Sequence, residues 1–317
     1  MCIVFWKLNQ NPPKGLPIKF IYAGNRDEFF NRPTKPMHYW KDEAVKILAP
    51  LDMQPAEEQR GTWFGINEYG RLGFLTNFYE EKFKTPGKKS RGLLVREFLT
   101  YGREGVDLFN KEKNIENELD RELPQKEAIR GLNIKDYLEK LSEEADDFDG
   151  FNLVVVDLNS MDSYYFTNRH GTSQKYIEKI SGEDCHGVSN SLLDRWPKVE
   201  KGKKMIEELL ETPYITQETF VEEMFKILNN QEPFSVELPP TIPEFRHAIC
   251  IPKIDSSGEI GADTNLYGTR TSIIVIVDME NNVTVYERQL HSNFQNIVTT
   301  DEPHDTVHTF KLNIKPN

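Results

Sequence analysis

Short apolar runs rich in β-branched and aromatic side chains, bounded by Gly, Pro, Asn and Asp, recur along most of this chain. Ile3-Val4-Phe5-Trp6 and Ile18-Lys19-Phe20-Ile21-Tyr22-Ala23 flank the turn signal Asn11-Pro12-Pro13-Lys14-Gly15, which is the composition of an antiparallel strand pair. A second hairpin is predicted where Gly61-Thr62-Trp63-Phe64-Gly65-Ile66 and Arg71 to Asn77 enclose Asn67-Glu68-Tyr69-Gly70. Ile47 to Asp52 reads as a short strand stopped by Pro. The unbroken run Phe151 to Asp157 reads as a strand buried on both faces, followed by strands at Tyr164–Asn168 and Tyr176–Ile180. His247–Ile251 predicts another, and Thr269–Asp278 with Val283–Arg288 a further pair. Helical spacing replaces this alternation at Leu93, Leu94, Phe98 and Leu99, at Leu132, Ile134, Tyr137, Leu138 and Leu141, and over Val199–Leu210 and Glu218–Leu228. Arg32-Pro33-Thr34-Lys35-Pro36 reads as a turn leading into an aromatic-rich loop at His38-Tyr39-Trp40. Beyond His291 the chain turns polar, and a loosely held tail is expected. Runs of strands and runs of helices, rather than strict alternation, predict an α+β layered domain.

The 317 residues suffice for one large domain or two small ones. A net charge of -12 argues against a nucleic-acid partner. Three cysteines in so long a chain form no disulfide framework and point to a reducing compartment. There is no Cys-x-x-Cys pair and no apolar run of the roughly 18 residues that a membrane helix needs, so neither a structural zinc nor a transmembrane segment is expected. Lys7, Lys14, Lys19 and Arg26 all precede the first acidic residue, Asp27, a charge balance like that of a mitochondrial presequence. The segment is nevertheless strand-like and Pro-interrupted, and its cleavage would delete Cys2. A cytoplasmic protein is the expectation, with any mitochondrial import through an uncleaved signal. From Arg103 to Asp149 the composition becomes acidic, which predicts an insert of amphipathic helices with a solvated face, or alternatively a docking tract.

The candidate chemistry gathers at the first hairpin. Its geometry carries Cys2 alongside Asn25, Arg26 and Asp27. Removal of Met1 would leave Cys2 with a free α-amine, whose ordinary pKa of roughly 7.7 to 8.0 suits a base beside a nucleophile. Arg26 is expected to favour the thiolate. The plainer alternative is a small buried cysteine beside a solvated turn. Asn77 and Asn190 close strands or loops where an amide can donate into a cleft. Cys185 and His186, adjacent in sequence, cannot point the same way on a strand, and His304 and His308 would pair on a metal only if helical.

Met1-Cys2-Ile3-Val4-Phe5, Asn25-Arg26-Asp27-Glu28-Phe29, Gly61-Thr62-Trp63-Phe64-Gly65, Leu75-Thr76-Asn77, Phe151-Asn152-Leu153, Gly187-Val188-Ser189-Asn190 and Tyr267-Gly268-Thr269-Arg270-Thr271 together resemble the NRDE family, the transport and Golgi organisation protein 2 homologues, over residues 1–290. That family in turn is similar to the N-terminal nucleophile cysteine hydrolases. The resemblance implies a single domain over 1–290 with an αββα four-layer sandwich of antiparallel sheets, an acidic insert near 103–149 and a tail over 291–317. It further implies Cys2 as nucleophile, Arg26 and Asp27 as the charged pair at the thiol and amine, Asn77 and Asn190 as amide donors near the oxyanion, and Arg270 as a second arginine. Strand alternation puts the adjacent Arg26 and Asp27 on opposite faces, which separates their roles. Two functions follow as expectations: haem trafficking out of mitochondria or storage organelles, linked to lipid and acyl-CoA balance, with haem as cargo; or a cysteine amidohydrolase or acyl transferase that needs no cofactor. A thiolate at Cys2, or His38, His186 or His247, would be the haem ligand under the first.

Overall fold

The computed structural model describes residues 2–9, 12, 16–41, 45–80, 86–100, 133–171, 174–180, 183–213, 215–233, 245–255, 266–291 and 303–314. Two antiparallel sheets dominate it. The first contains β1 (Ile3–Leu8), β2 (Ile18–Phe29), β10 (His186–Val188), β12 (Leu266–Asp278), β13 (Asn282–Gln289) and β14 (His304–Lys311), in the order β10-β1-β2-β12-β13-β14, with β11 (Ile254–Asp255) paired to β12. The second is a meander in chain order: β3 (Thr34–Tyr39), β4 (Ile47–Asp52), β5 (Phe64–Asn67), β6 (Arg71–Asn77), β7 (Phe151–Asp157), β8 (Asp162–His170) and β9 (Gln174–Ile180).

Period-two alternation decides what each face meets. Val4, Trp6, Phe20, Tyr22, Ile273 and Val275 of the first sheet pack against Phe64, Ile66, Phe74, Val154 and Val156 of the second. The intervening residues Ile3, Phe5, Ile21, Ala23, Ile274 and Ile276 turn outward. They meet two helices that we number α3 (Pro197–Leu210) and α4 (Gln217–Leu228), through Val199, Ile206, Phe220 and Met224. The far face of the second sheet is covered by α1 (Gly92–Thr100) and α2 (Ile134–Glu144), whose Leu94, Phe98, Tyr137, Leu138 and Leu141 pack on Ile47, Ala49, Leu153 and Val155. The result is the expected αββα sandwich. Both faces of each sheet are covered, which is why β7 reads as an unbroken apolar run.

The hairpin between β5 and β6 turns at Gly70, whose φ of 78° suits glycine, while the Asn67 side chain accepts from the backbone N–H groups of Tyr69 and Arg71. Elsewhere the chain departs from the sequence reading. Thr34–Tyr39 is an edge strand rather than turn and loop; Pro36 is tolerated there because an edge needs fewer ladder bonds, and the register shifts between Lys35 and His38. His247–Ile251 is not a strand. Its backbone is instead fixed by Asn25 Nδ2 on the Ile249 oxygen, Cys250 N on the Asn230 oxygen and Thr269 N on the Ile251 oxygen. The expected loose tail is, over His304–Lys311, the outer strand of the first sheet, held to β13 and anchored by Phe310 against the core between the sheets. His304 and His308 lie on that strand. Of the acidic insert, α2 is amphipathic as expected and residues 101–132 lie outside the described residues, as do Met1 and most of the first turn.

Candidate active site

The ladder between β1 and β2 pairs Ile3 with Asn25, so the residue before Ile3 comes beside Arg26 at the strand end. Cys2 and Arg26 share the face that carries Val4 and Tyr22 between the sheets. Asp27 follows Asn25 on the opposite face, toward α3 and α4. The alternation therefore holds, yet both side chains reach the start of the chain, because no further residue of β1 separates them there. Cys2, Arg26, Asp27, Trp63, Asn77 and Asn190 together line a cleft of about 1070 Å³.

Each of these groups is held from a different element. The Cys2 thiol points at the main-chain oxygen of Asp27 at 3.9 Å, and the Cys2 carbonyl accepts a 2.7 Å hydrogen bond from Ser189 Oγ. Arg26 is buried with its guanidinium 4.2 Å from the centre of the Trp63 ring. It donates to Thr34 Oγ1 at 3.2 Å and pairs with Glu28 at 3.7 Å. At the rim, Arg32 links Asp52 at 2.6 Å and Glu28 at 3.4 Å. Asp27 is buried and accepts a 2.6 Å hydrogen bond from Thr269 Oγ1 on β12.

Burial pushes the Cys2 thiol above its ordinary range, and the Asp27 charge adds to this; the amino terminus and Arg26 pull the other way. Arg26 favours the thiolate, as expected, but burial of the sulfur outweighs that attraction. Asp27 is likewise raised by burial and drawn down by the amino terminus, Lys198 and Thr269.

Asn77 and Asn190 meet at the mouth. Asn190 Nδ2 donates at 2.6 Å to the Asn77 carbonyl, while the Asn77 side chain is exposed at the end of β6. The segment bearing Asn190 is pinned to the second sheet by a buried polar network that the sequence reading missed. Asn152 Nδ2 donates to the carbonyls of Ser189 and Ser191, Thr76 Oγ1 donates to Ser189 as well, and Tyr165 donates to Asn152 Oδ1 at 2.8 Å. An asparagine inside the apolar run of β7 was the available signal. Arg270 differs from its expected place. It occupies a register shift between Thr269 and Thr271, outside the cleft lining, and donates to the carbonyls of Phe29 and Arg32 at 3.0 and 2.8 Å. Burial first, and then the Arg26 charge, lower its pKa to about 9. It clamps the turn after β2 that supports Arg26 and Arg32.

Cys185 and His186 diverge as expected. Cys185 is buried toward the helices with its thiol raised to about 12 by burial, whereas His186 lies over Trp6 and contacts Asp194 at 3.1 Å. His38, His186 and His247 do not line the cleft. Among the described residues no group of three or more His, Cys, Asp or Glu could hold a metal ion, and no helix is long and apolar enough to cross a membrane.

Fold and site together define an αββα sandwich with a cysteine beside the open end of an inner strand. The chain belongs to the family described as Transport and Golgi organisation 2, which matches residues 1–292. It is 30% identical to the mouse Transport and Golgi organization 2 homolog over 92% of this chain and 93% of that one. It is 29% identical to the human homolog over the same shares, and 25% identical to the Drosophila melanogaster protein over 92% of each. Among solved structures, it is similar to a Caenorhabditis elegans N-acylethanolamine-hydrolyzing acid amidase ortholog, at a TM-score of 0.42 and 10% identity over 87% of this chain and 92% of that one. It is also similar to a conjugated bile acid hydrolase from Clostridium perfringens, at 0.38 and 11% over 100% and 99%.

Proposed function

We propose that this protein transfers acyl groups through Cys2, as an amidohydrolase or acyl transferase acting on an amide or thioester. One observation carries the reading: the β1–β2 register brings a thiol, Arg26 and Asp27 together at the chain's start, on the floor of a cleft that also holds two asparagines. Once Met1 is removed, the Cys2 amine takes the thiol proton as sulfur attacks the carbonyl carbon. The S–C bond forms, the carbonyl oxygen gains charge beside the Asn77 and Asn190 amides, and the proton passes to the leaving amine or thiol as its bond to carbon breaks. Water or another nucleophile then releases the acyl group. Arg26 offsets the charge that builds near the sulfur.

The test is mass spectrometry of protein isolated from cells and incubated with short-chain acyl amide and acyl thioester probes. Loss of Met1 and an acyl mass on Cys2, absent in Cys2→Ala, are expected. A retained Met1, or a free Cys2 that takes up no probe, overturns the reading.

The second reading is haem carriage, favoured by the lining of the same cleft. Beside the thiol it holds the rings of Trp63, Phe78, Tyr79 and Tyr267 and the cations Arg32, Lys88, Lys89 and Arg91, a setting suited to a flat apolar ring with acidic substituents. No histidine lines it among the described residues, so Cys2 would be the iron ligand. A saturable Soret shift on haem titration, lost in Cys2→Ala, is expected; an unchanged spectrum excludes it.

A further inference from the structure

The segment that carries Asn190 is a loop hung between the two sheets. On its first limb, His186, Gly187 and Val188 pair with Trp6, Phe5 and Val4 of β1. Its apex is pinned to the second sheet, where Asn152 Nδ2 donates to the Ser189 and Ser191 carbonyls at 3.0 and 2.9 Å. Asn190 lies between these anchors, and its own carbonyl accepts from Tyr79 N at 2.8 Å. An amide nitrogen carries two protons. One goes to the Asn77 carbonyl, which leaves the other for a ligand in the cleft that Asn190 lines.

The chain returns to β10 at Asp194, and this one residue closes the neck of the loop. Its N–H donates to the Gly187 oxygen, and its Oδ1 accepts from the Gly187 N–H, both at 2.9 Å. Oδ2 lies 3.1 Å from His186 Nδ1, and Lys203 Nζ on α3 reaches Oδ1 at 3.1 Å. Burial raises this carboxyl, but the bonds from His186, Gly187 and Lys203 outweigh it and hold the group below the ordinary carboxylate range. Asp194 has a φ of 51°, a left-handed backbone that Asp and Asn tolerate better than most residues and that costs glycine little.

We propose that Asp194 is a positioning residue: by closing the neck of the 187–194 loop it keeps the Asn190 amide, whose flanking carbonyls are pinned to the second sheet, in register with Cys2 beside the first. Under the acyl-transfer reading, on which its purpose rests, that register sets the separation between the sulfur that attacks and the donor that meets the developing oxyanion. Without the carboxylate, the returning limb loses its ties to Gly187 N, His186 and Lys203, while Asn152 still holds the apex. The donor then follows the second sheet rather than the nucleophile.

The experiment compares two reagents on Cys2 of the full chain, read by peptide mass spectrometry. The butyryl thioester of N-acetylcysteamine develops an oxyanion as sulfur attacks its carbonyl; iodoacetamide alkylates sulfur without one. Asp194→Gly removes the carboxylate without straining the backbone. It is expected to slow thioester labelling about tenfold, since a small misplacement of a catalytic group can cost up to about a hundredfold, and to leave alkylation at the wild-type rate. Asp194→Asn, which keeps an acceptor for Gly187 N and suits the same φ, should restore most of the labelling. In an Asn190→Ala background Asp194→Gly should have little further effect, because the carboxylate acts through that amide. Equal slowing of both reagents, unchanged thioester labelling, or a slowing that adds fully to that of Asn190→Ala overturns the proposal. If Asp194→Gly fails to fold, Lys203→Met, which removes the tie to α3, should slow thioester labelling selectively, and an unmoved ratio of the two rates counts equally against the proposal. Hydrogen exchange tells the two readings apart: residues 186–191 should exchange faster in Asp194→Gly than in wild type. A wild type that never takes up the thioester, together with this faster exchange, refutes acyl transfer and leaves the hold of Asp194 on the segment standing, whereas unchanged exchange overturns it.

Discussion

Ser189 Oγ donates a 2.7 Å hydrogen bond to the main-chain oxygen of Cys2. The bond joins the residue after the short strand β10 to the residue before β1, and through the Asn152 network it ties Cys2 to the second sheet as well. Cys2 lies just outside the β1 ladder, so a lateral bond of this kind decides how well its sulfur is aimed.

Ser189→Ala should therefore impair the site more than the fold. A neutral hydrogen bond contributes about 1 kcal/mol of stability, so thermal unfolding should show a small loss. Acyl-probe labelling of Cys2 should slow severalfold. Equal labelling rates in wild type and Ser189→Ala would mean that β1 alone fixes the thiol.

Arg26→Lys tests whether shape matters as well as charge. The guanidinium stacks 4.2 Å from the Trp63 ring centre while bonding Thr34 and facing Glu28, which a flexible ammonium cannot reproduce at once. Labelling of Cys2 should fall about tenfold even though the charge is kept, since each tenfold corresponds to about 1.4 kcal/mol in the barrier. Unchanged labelling would reduce Arg26 to a point charge.

The residues that the sequence made legible are those whose position alone betrays them. Cys2 precedes β1 and Asn77 closes β6, and turn residues with period-two patterning fix where those strands end, whereas Arg26 lies within β2, which runs on to Phe29. Thr34–Tyr39 hid its strand behind two prolines, which mark turns in isolation but are also tolerated on an edge. His304–Lys311 hid behind its polarity, because an outer strand buries little besides Phe310. Lys198 was invisible for another reason. A lysine in an amphipathic helix reads as solvated, and only the packing of α3 on β1 turns it inward. Arg270, expected as a second arginine of the site, instead sits at a register shift outside the cleft lining and clamps two carbonyls.

That packing yields a stability prediction. Gly202→Ala would place a methyl group 2.2 Å from Phe5 Cζ and 2.6 Å from Cε1, and Phe5 is enclosed between β1 and α3. Overpacking of this kind costs about 1–3 kcal/mol, and thermal unfolding should move accordingly. Phe5→Leu alone should also destabilise, yet the double variant should be more stable than the sum of the two losses implies. Strict additivity would show that the helix shifts away instead.

Glu287 gives a pH dependence of opposite sign to that of an ordinary paired carboxylate. It is 1% exposed on β13 and accepts from the Met37 N–H with both oxygens, at 3.1 and 3.0 Å, joining the edge strand of the second sheet to the first. Burial nevertheless raises it from 4.5 to about 6, with the Met37 bond only partly offsetting this. As pH rises, the unfolded chain releases this proton first, so between about 4.5 and 6 the folded state binds more protons and stability falls with rising pH. The contribution lost by pH 7 is about 2 kcal/mol, at roughly 1.4 kcal/mol per pH unit. Glu287→Gln removes the titration while keeping an acceptor for Met37. Relative to that variant, wild type should lose about 2 kcal/mol when denaturant unfolding is compared at pH 4 and pH 7, and parallel stability curves would show that water or rearrangement relieves the buried charge.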